Sequence, residues 1–123
     1  MKKKLHTSYK QVSPFITKDG SVIRELMHPK MHGNREQSLA EALLPAGSTT
    51  MLHRHIQSEE IYHITAGKGL MRLGDDEFAV TTGDTICIPP GTPHALVNHG
   101  QDELRLLCCS SPPYADDDTE LLP

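Results

Sequence analysis

The sequence lacks tryptophan, and aromatic residues make up only 4% of its 123 positions. A ligand site built as a cage of stacked rings is therefore not expected, and the few candidates for a ring contact are Tyr62, Phe78 and Tyr114. The sequence also lacks an apolar run of about 18 residues, so no membrane-spanning helix is predicted. No apolar segment follows its basic start, so no signal peptide is predicted either. These absences predict a cytoplasmic protein without a membrane partner.

Positive charge is scarce as well. The chain has 12 lysines and arginines against 16 aspartates and glutamates, which gives a formal net charge of −4. Domains that bind nucleic acid usually carry a basic patch or stripe. The one basic cluster, Lys2 to Lys4, is interpreted as a solvated chain end. No nucleic-acid partner is expected.

Cysteines are few and do not form a disulfide pattern. The three are Cys87, Cys108 and Cys109, an odd number with two adjacent members. Such a set does not indicate the paired framework of a secreted domain. We interpret them as small buried apolar side chains. The alternative is that one thiol faces a pocket.

What the chain does contain is a series of short strand candidates separated by turn signals. Its length is that of one domain. Turn residues recur every 8–12 positions and no segment has a helical period, which predicts an all-β sandwich or barrel. The predicted strands cover residues 21–27, 39–44, 49–55, 60–65, 70–73, 77–80, 85–88, 94–98 and 104–109, with a short one near Phe15 and Ile16.

The first chemical motif lies in two neighbouring predicted strands. Because residues i and i+2 of a strand point to the same face, His53 and His55 project together. Two imidazoles so placed can hold one divalent ion at about 2.0–2.1 Å. Glu60 opens the next strand and can return a carboxylate beside the pair.

The second motif adds a third imidazole. Gly91 allows the chain to turn sharply, and His94 then begins a strand. Three neutral histidines and one carboxylate suit a divalent transition metal. Iron or manganese is favoured here, and nickel, zinc, cobalt and copper are possible.

The two segments resemble both signature motifs of the cupin superfamily, and the chain is similar to its small single-domain, metal-binding members. The fixed positions of the two motifs are Gly47, His53, His55, Glu60 and Gly67, then Gly83, Pro89, Gly91, His94 and Asn98. The resemblance implies a double-stranded β-helix, or jelly roll, with a metal in the barrel mouth held by His53, His55, Glu60 and His94. It also implies a barrel over residues 38–110, between an N-terminal arm with short strands (1–37) and a C-terminal tail (111–123). The acidic run 116–118 of the tail is interpreted as a solvated cap.

Strand phase distinguishes the neighbouring candidates. The resemblance implies Glu60 rather than Glu59 as the ligand, because six residues separate Glu60 from Gly67 as in the cupin motif. Strand phase agrees, since Glu60 shares a face with Tyr62 and Glu59 shares the opposite face with His63. Tyr62, Met71 and Cys108 are predicted to pack inside the barrel, where they can also contact a ligand. The resemblance suggests that Leu104, Leu106 and Cys108 face inward. Glu41 fits either face of its predicted strand, so it is either a pocket acid or a surface residue.

Function follows from the open positions that such a ligand set leaves. One metal per chain with two free adjacent positions can bind dioxygen beside a substrate. We therefore predict a dioxygenase-type oxidoreductase acting on a small oxygenated or aromatic molecule. The alternatives are a metal-dependent sugar isomerase or lyase, and a non-catalytic module that binds a small molecule. Small cupins also pair, so a homodimer is expected.

Overall fold

The computed structural model describes residues 5–123, so Lys2 to Lys4 lie outside the described residues. The strands are β1 (Phe15–Ile16), β2 (Val22–Met27), β3 (Ser38–Leu44), β4 (His53–His55), β5 (Glu59–Ala66), β6 (Lys68–Leu73), β7 (Asp76–Thr81), β8 (Thr85–Ile88), β9 (His94–Val97), β10 (Leu104–Ser111) and β11 (Thr119–Leu121). Two short 3₁₀ turns, Tyr9–Gln11 and Asp116–Asp118, complete the elements. Over residues 5–123, no helix has the length and apolar character that crossing a membrane requires.

The strands form two antiparallel sheets that enclose one core. The larger sheet has the order β1-β2-β3-β10-β5-β8, and the smaller has the order β11-β4-β9-β6-β7. Neighbours in each sheet are mostly distant in sequence, which is the arrangement of a jelly roll. The predicted all-β barrel is confirmed.

Buried core residues alternate with outward-facing residues along the strands. In β10, Leu104, Leu106 and Cys108 are buried, as the predicted phase requires. Cys108 pairs with Ala40 on one side and Tyr62 on the other, so inward residues of three strands form one row. This alternation turns one face of the larger sheet toward the interior.

Both flanks of the predicted barrel supply strands. β2 pairs with β3 in the larger sheet, and β11 pairs with β4 in the smaller one. The acidic run 116–118 lies beside β4 with Asp116 and Asp117 exposed, and the Asp118 carboxylate accepts bonds from the backbone N–H groups of Gln57 and Ser58. The tail covers the open edge of β4, whose backbone would otherwise lack partners. The division into arm, barrel and tail stays a prediction.

Three local predictions differ from the structure. The strand expected over 49–55 is shortened to His53–His55, and Thr49 forms only an isolated bridge with Val97. The turn expected over residues 66–69 is a single residue, Gly67, at φ +87°. A Cβ there would lie 2.6 Å from the Glu103 carbonyl oxygen, so the tight turn requires glycine. Cys87 is exposed rather than buried, because it points outward from β8.

Candidate metal centre

Two strands of the smaller sheet bring three imidazoles together. His53 and His55 lie on the inward face of β4, and His53 is directly opposite His94 on β9. All three are buried, with 2%, 4% and 0% of their surface exposed. One ring nitrogen of each lies within 4.8 Å of those of the other two.

Hydrogen bonds fix the same tautomer in all three rings. The Nδ1 of His53 lies 2.8 Å from the Met51 carbonyl oxygen, and that of His94 lies 2.9 Å from the Thr92 carbonyl oxygen. A carbonyl only accepts, so both Nδ1 atoms carry the proton. The Thr119 hydroxyl donates its hydrogen bond to the Ala115 carbonyl oxygen, so it accepts at 3.0 Å from the Nδ1–H of His55. In the neutral ring each Nε2 then keeps a lone pair, the form that binds metals.

Glu60 reaches the imidazoles from the larger sheet. Its Oε1 lies 3.1 Å from His55 Nε2 and 3.3 Å from His94 Nε2. These three buried atoms have no hydrogen-bond partner among residues 5–123. Buried acceptors that converge without donors require a cation or protons between them. The donor set therefore fits a divalent transition metal.

The electrostatics of the cluster also keep the carboxylate charged. Burial favours the neutral acid, but in the metal-free cluster His55 and His94, when they carry a proton on Nε2, outweigh burial and lower the pKa of Glu60 to about 2. Burial and the neighbouring His94 lower the pKa of His53. For His55, burial acts downward, and the Glu60 carboxylate more than offsets it, so its pKa is raised. Glu60 thus presents a negative charge to whatever binds here.

A cavity adjoins the cluster, and two of the three predicted pocket residues line it. Tyr62 and Cys108 line it, whereas Met71 does not. Met71 is fully buried in the core, in agreement with its predicted packing inside the barrel. Burial raises the pKa of the Cys108 thiol, as does the nearby Glu60 carboxylate. Cys108 is therefore a neutral thiol rather than a reactive thiolate.

The arm and the tail contribute residues that the motifs did not identify. Asp19, Tyr114 and Thr119 all line the cavity. The ring of Tyr114 stands edge-on to His55 at 5.8 Å between centroids, and its hydroxyl donates to Asp116. The only sequence signal for Asp19 was the turn pair it forms with Gly20, which indicates a bend but no position.

The remaining candidates face away from the cluster. Glu59 is exposed, and His63, also exposed, pairs with the Thr85 hydroxyl. Glu41 points to the outer face, where it lies beside Arg24 and Arg105. The structure thus resolves the orientation that the sequence left open for Glu41.

Comparisons with known proteins agree with this architecture. A family model described as "Cupin domain" matches residues 40–110. Uncharacterized protein MJ1618 of Methanocaldococcus jannaschii is 55% identical over 118 residues, covering 96% of this chain and 94% of that protein. An oxalate-binding protein of Thermotoga maritima is 31% identical over 84 residues, covering 68% of this chain and 65% of that protein. A Streptomyces PAC13 variant solved with uridine has a TM-score of 0.79 at 13% identity, covering 98% of this chain and 92% of that one.

Proposed function

This chain belongs to the cupin domain family, and on that premise we propose that it is a metal-dependent enzyme acting on a small uncharged, oxygen-bearing molecule. One divalent transition metal per chain would be held by the Nε2 atoms of the three inward histidines and by Glu60. Iron or manganese is the favoured ion. The observation that carries the proposal is the convergence of His55 Nε2, His94 Nε2 and Glu60 Oε1 without hydrogen-bond partners in the described part of the chain.

The lining of the cavity indicates the charge of the substrate. Among residues 5–123, those that line it include carboxylates, phenols and apolar side chains but no lysine or arginine. A phosphate or dicarboxylate group is usually recognised by such cations. A neutral molecule that offers hydroxyl or carbonyl oxygens is a better match. The apolar walls at Ile23, Leu96 and Leu106 would exclude water from it.

The reaction that fits this cavity best is an isomerisation or an elimination, the alternative predicted from the sequence. The bound ion would supply Lewis-acid polarisation of a substrate oxygen. Tyr62 lies in the cavity with its ring edge-on to His94. Its phenol can donate a hydrogen bond to the bound molecule and so orient it.

A dioxygenase-type oxidation is the second candidate. It is supported by the ligand set, because three imidazoles and one carboxylate leave two adjacent positions on an octahedral ion. The two reactions differ in their need for dioxygen. The same candidate substrates should therefore be assayed with and without oxygen, and turnover that persists in strict anaerobiosis supports isomerisation or elimination.

Metal content tests the proposal directly. Protein purified without added metal should contain about one transition-metal ion per chain by elemental analysis. The double variant His53→Ala/His55→Ala should contain none, because two of the four ligands are removed. His63→Ala, an exposed histidine of β5, is the matched control and should keep the ion. Full occupancy in the double variant would refute the site.

Ligand binding tests the substrate class. Calorimetry on the metal-loaded protein should include oxalate and uridine, which the relatives' names suggest, together with neutral sugars. The expected result is binding of neutral molecules and turnover of at least one. Tight binding without turnover of any molecule would favour the non-catalytic module instead.

We further propose a homodimer formed through the outer face of the larger sheet. In register across β3, β10, β5 and β8 lie Leu39, Cys109, Ile61 and Cys87. Leu39 and Ile61 are 36% and 40% exposed, an apolar row that a second copy would cover.

The dimer can be tested at the centre of this row. Ile61→Asp should yield a monomer by light scattering at micromolar concentration. Phe78→Asp, at an exposed apolar position of the other sheet, should stay dimeric. A monomeric parent protein would contradict the proposal.

A further inference from the structure

The turn between β1 and β2 is fixed across the mouth of the barrel. The Asp19 carbonyl accepts a 2.8 Å bond from the Met51 N–H, and Met51 in turn holds His53. The Lys18 ammonium donates to the carbonyl oxygens of Asp116 at 3.2 Å and Thr119 at 2.8 Å. The turn is therefore tied both to the segment that leads into β4 and to the tail.

The carboxylate of Asp19 is held with one oxygen toward the imidazoles. Its Oδ1 accepts bonds from the Thr17 hydroxyl at 2.7 Å, the Ser21 N–H at 3.0 Å and the Ser21 hydroxyl at 2.6 Å. Its Oδ2 lies 3.5 Å from His53 Nε2. The side chain is only 12% exposed. The three hydrogen bonds to Oδ1 therefore orient the carboxylate so that Oδ2 points into the cavity.

This contact is not explained by a hydrogen bond. The proton of His53 is on Nδ1, so its Nε2 presents a lone pair to a carboxylate oxygen. Two such atoms repel unless a proton or a metal cation lies between them. Ligand atoms at right angles about one ion, each at the usual distance, lie about 3.0 Å apart. The separation from Asp19 to His53 is close to the 3.1 and 3.3 Å that join Glu60 to its two imidazoles.

We propose that Asp19 is a fifth protein ligand of the metal, supplied by the N-terminal arm; this rests on the proposed metal site. Glu60 and Asp19 together would balance the charge of a dication, which suits the uncharged substrate. An octahedral ion with five protein ligands keeps one open position. The substrate would then bind through a single oxygen atom, and dioxygen could not bind beside it.

Manganese(II) is the probe that tests this ligand. Water-proton relaxation measures the number of exchangeable waters on the bound ion, and five protein ligands leave about one on six-coordinate Mn²⁺. Asp19→Asn keeps an acceptor for Thr17 and Ser21 but removes the negative charge. We expect this variant to gain one water and to bind Mn²⁺ at least tenfold more weakly in chelator competition. Glu59→Gln, which removes an exposed charge, should change neither quantity.

The outcomes separate the two proposals. Two waters on the parent protein, or an Asp19→Asn variant with unchanged hydration, would overturn the role of Asp19 alone. A parent protein that binds no Mn²⁺, Fe²⁺ or Zn²⁺ would overturn the metal site itself. The hydration of the parent protein needs no variant, so the test holds even if Asp19→Asn fails to fold.

Discussion

Two buried glutamates of the larger sheet show how differently one side chain behaves in two regions of the same interior. Glu60 on β5 and Glu25 on β2 are each only 5% exposed. Glu60 faces two imidazoles, and its pKa falls to about 2. Burial raises the pKa of Glu25 to about 7, and its Oε1 has no hydrogen-bond partner within residues 5–123.

Burial alone therefore does not make a carboxylate a metal ligand. Without a neighbouring cation, a buried carboxyl takes up a proton and loses the charge that would bind metal. Beside imidazoles that carry a proton on Nε2, or beside a bound metal ion, the same group stays ionised at neutral pH. The neighbours of a carboxylate, more than its depth, therefore identify the candidate centre.

Replacing Glu25 should have the largest effect on stability. Because its pKa is raised from 4.5 to about 7, the folded protein holds a proton that the unfolded chain releases between these values. The free energy of unfolding therefore falls as pH rises through this window, by about 3 kcal/mol in total. Glu25→Gln should lack that fall, as measured by urea unfolding at pH 4 and pH 8 in the presence of a chelator.

The exposed Glu59 provides the control for this experiment. Glu59→Gln should retain the pH dependence of the parent protein. If Glu25→Gln shows the same loss of stability with pH as the parent, Glu25 does not take up the proton and the contrast with Glu60 disappears.

Removing the metal should destabilise the folded protein through the site of Glu60. A ligand present at 100 times its dissociation constant stabilises the folded state by about 2.7 kcal/mol. Chelation should therefore lower the melting temperature of the parent protein but leave its β-type circular dichroism intact, because the apolar core does not depend on the ion. Loss of all regular structure on chelation would show that the metal is structural. His53→Ala/His55→Ala, which lacks two ligands, should not respond to the chelator.

Replacing each of the two adjacent glutamates of β5 in turn with alanine should give the smallest change in free energy, measured as metal affinity. Glu60→Ala removes a negatively charged ligand and should weaken metal binding at least tenfold, about 1.4 kcal/mol. Glu59→Ala should change the affinity little, since its side chain is exposed. Metal titration decides between them. A damaging Glu59→Ala, or two harmless variants, would contradict the assignment of Glu60.

Much of the candidate centre was predictable because it depends on local spacing. The period of two places His53 with His55, Glu60 with Tyr62, and Leu106 with Cys108 on shared faces. The resemblance to the cupin motifs then indicated which of these faces turns into the barrel. For Glu41 the alternation did not predict an orientation, because apolar residues occupy both faces of β3. Pairing of β3 with β2 and β10 sets its outward direction.

The all-β architecture, the four convergent side chains and the inward phase of their strands could be predicted from the amino-acid sequence. The presence of Asp19, Tyr114 and Thr119 in the same cavity became apparent only in the folded chain. So did the packing of Met71 away from that cavity. No periodicity relates the arm or the tail to β4. Their side chains meet His53 and His55 because the ends of the chain pack across the barrel mouth, a contact set by hydrogen bonds between distant segments.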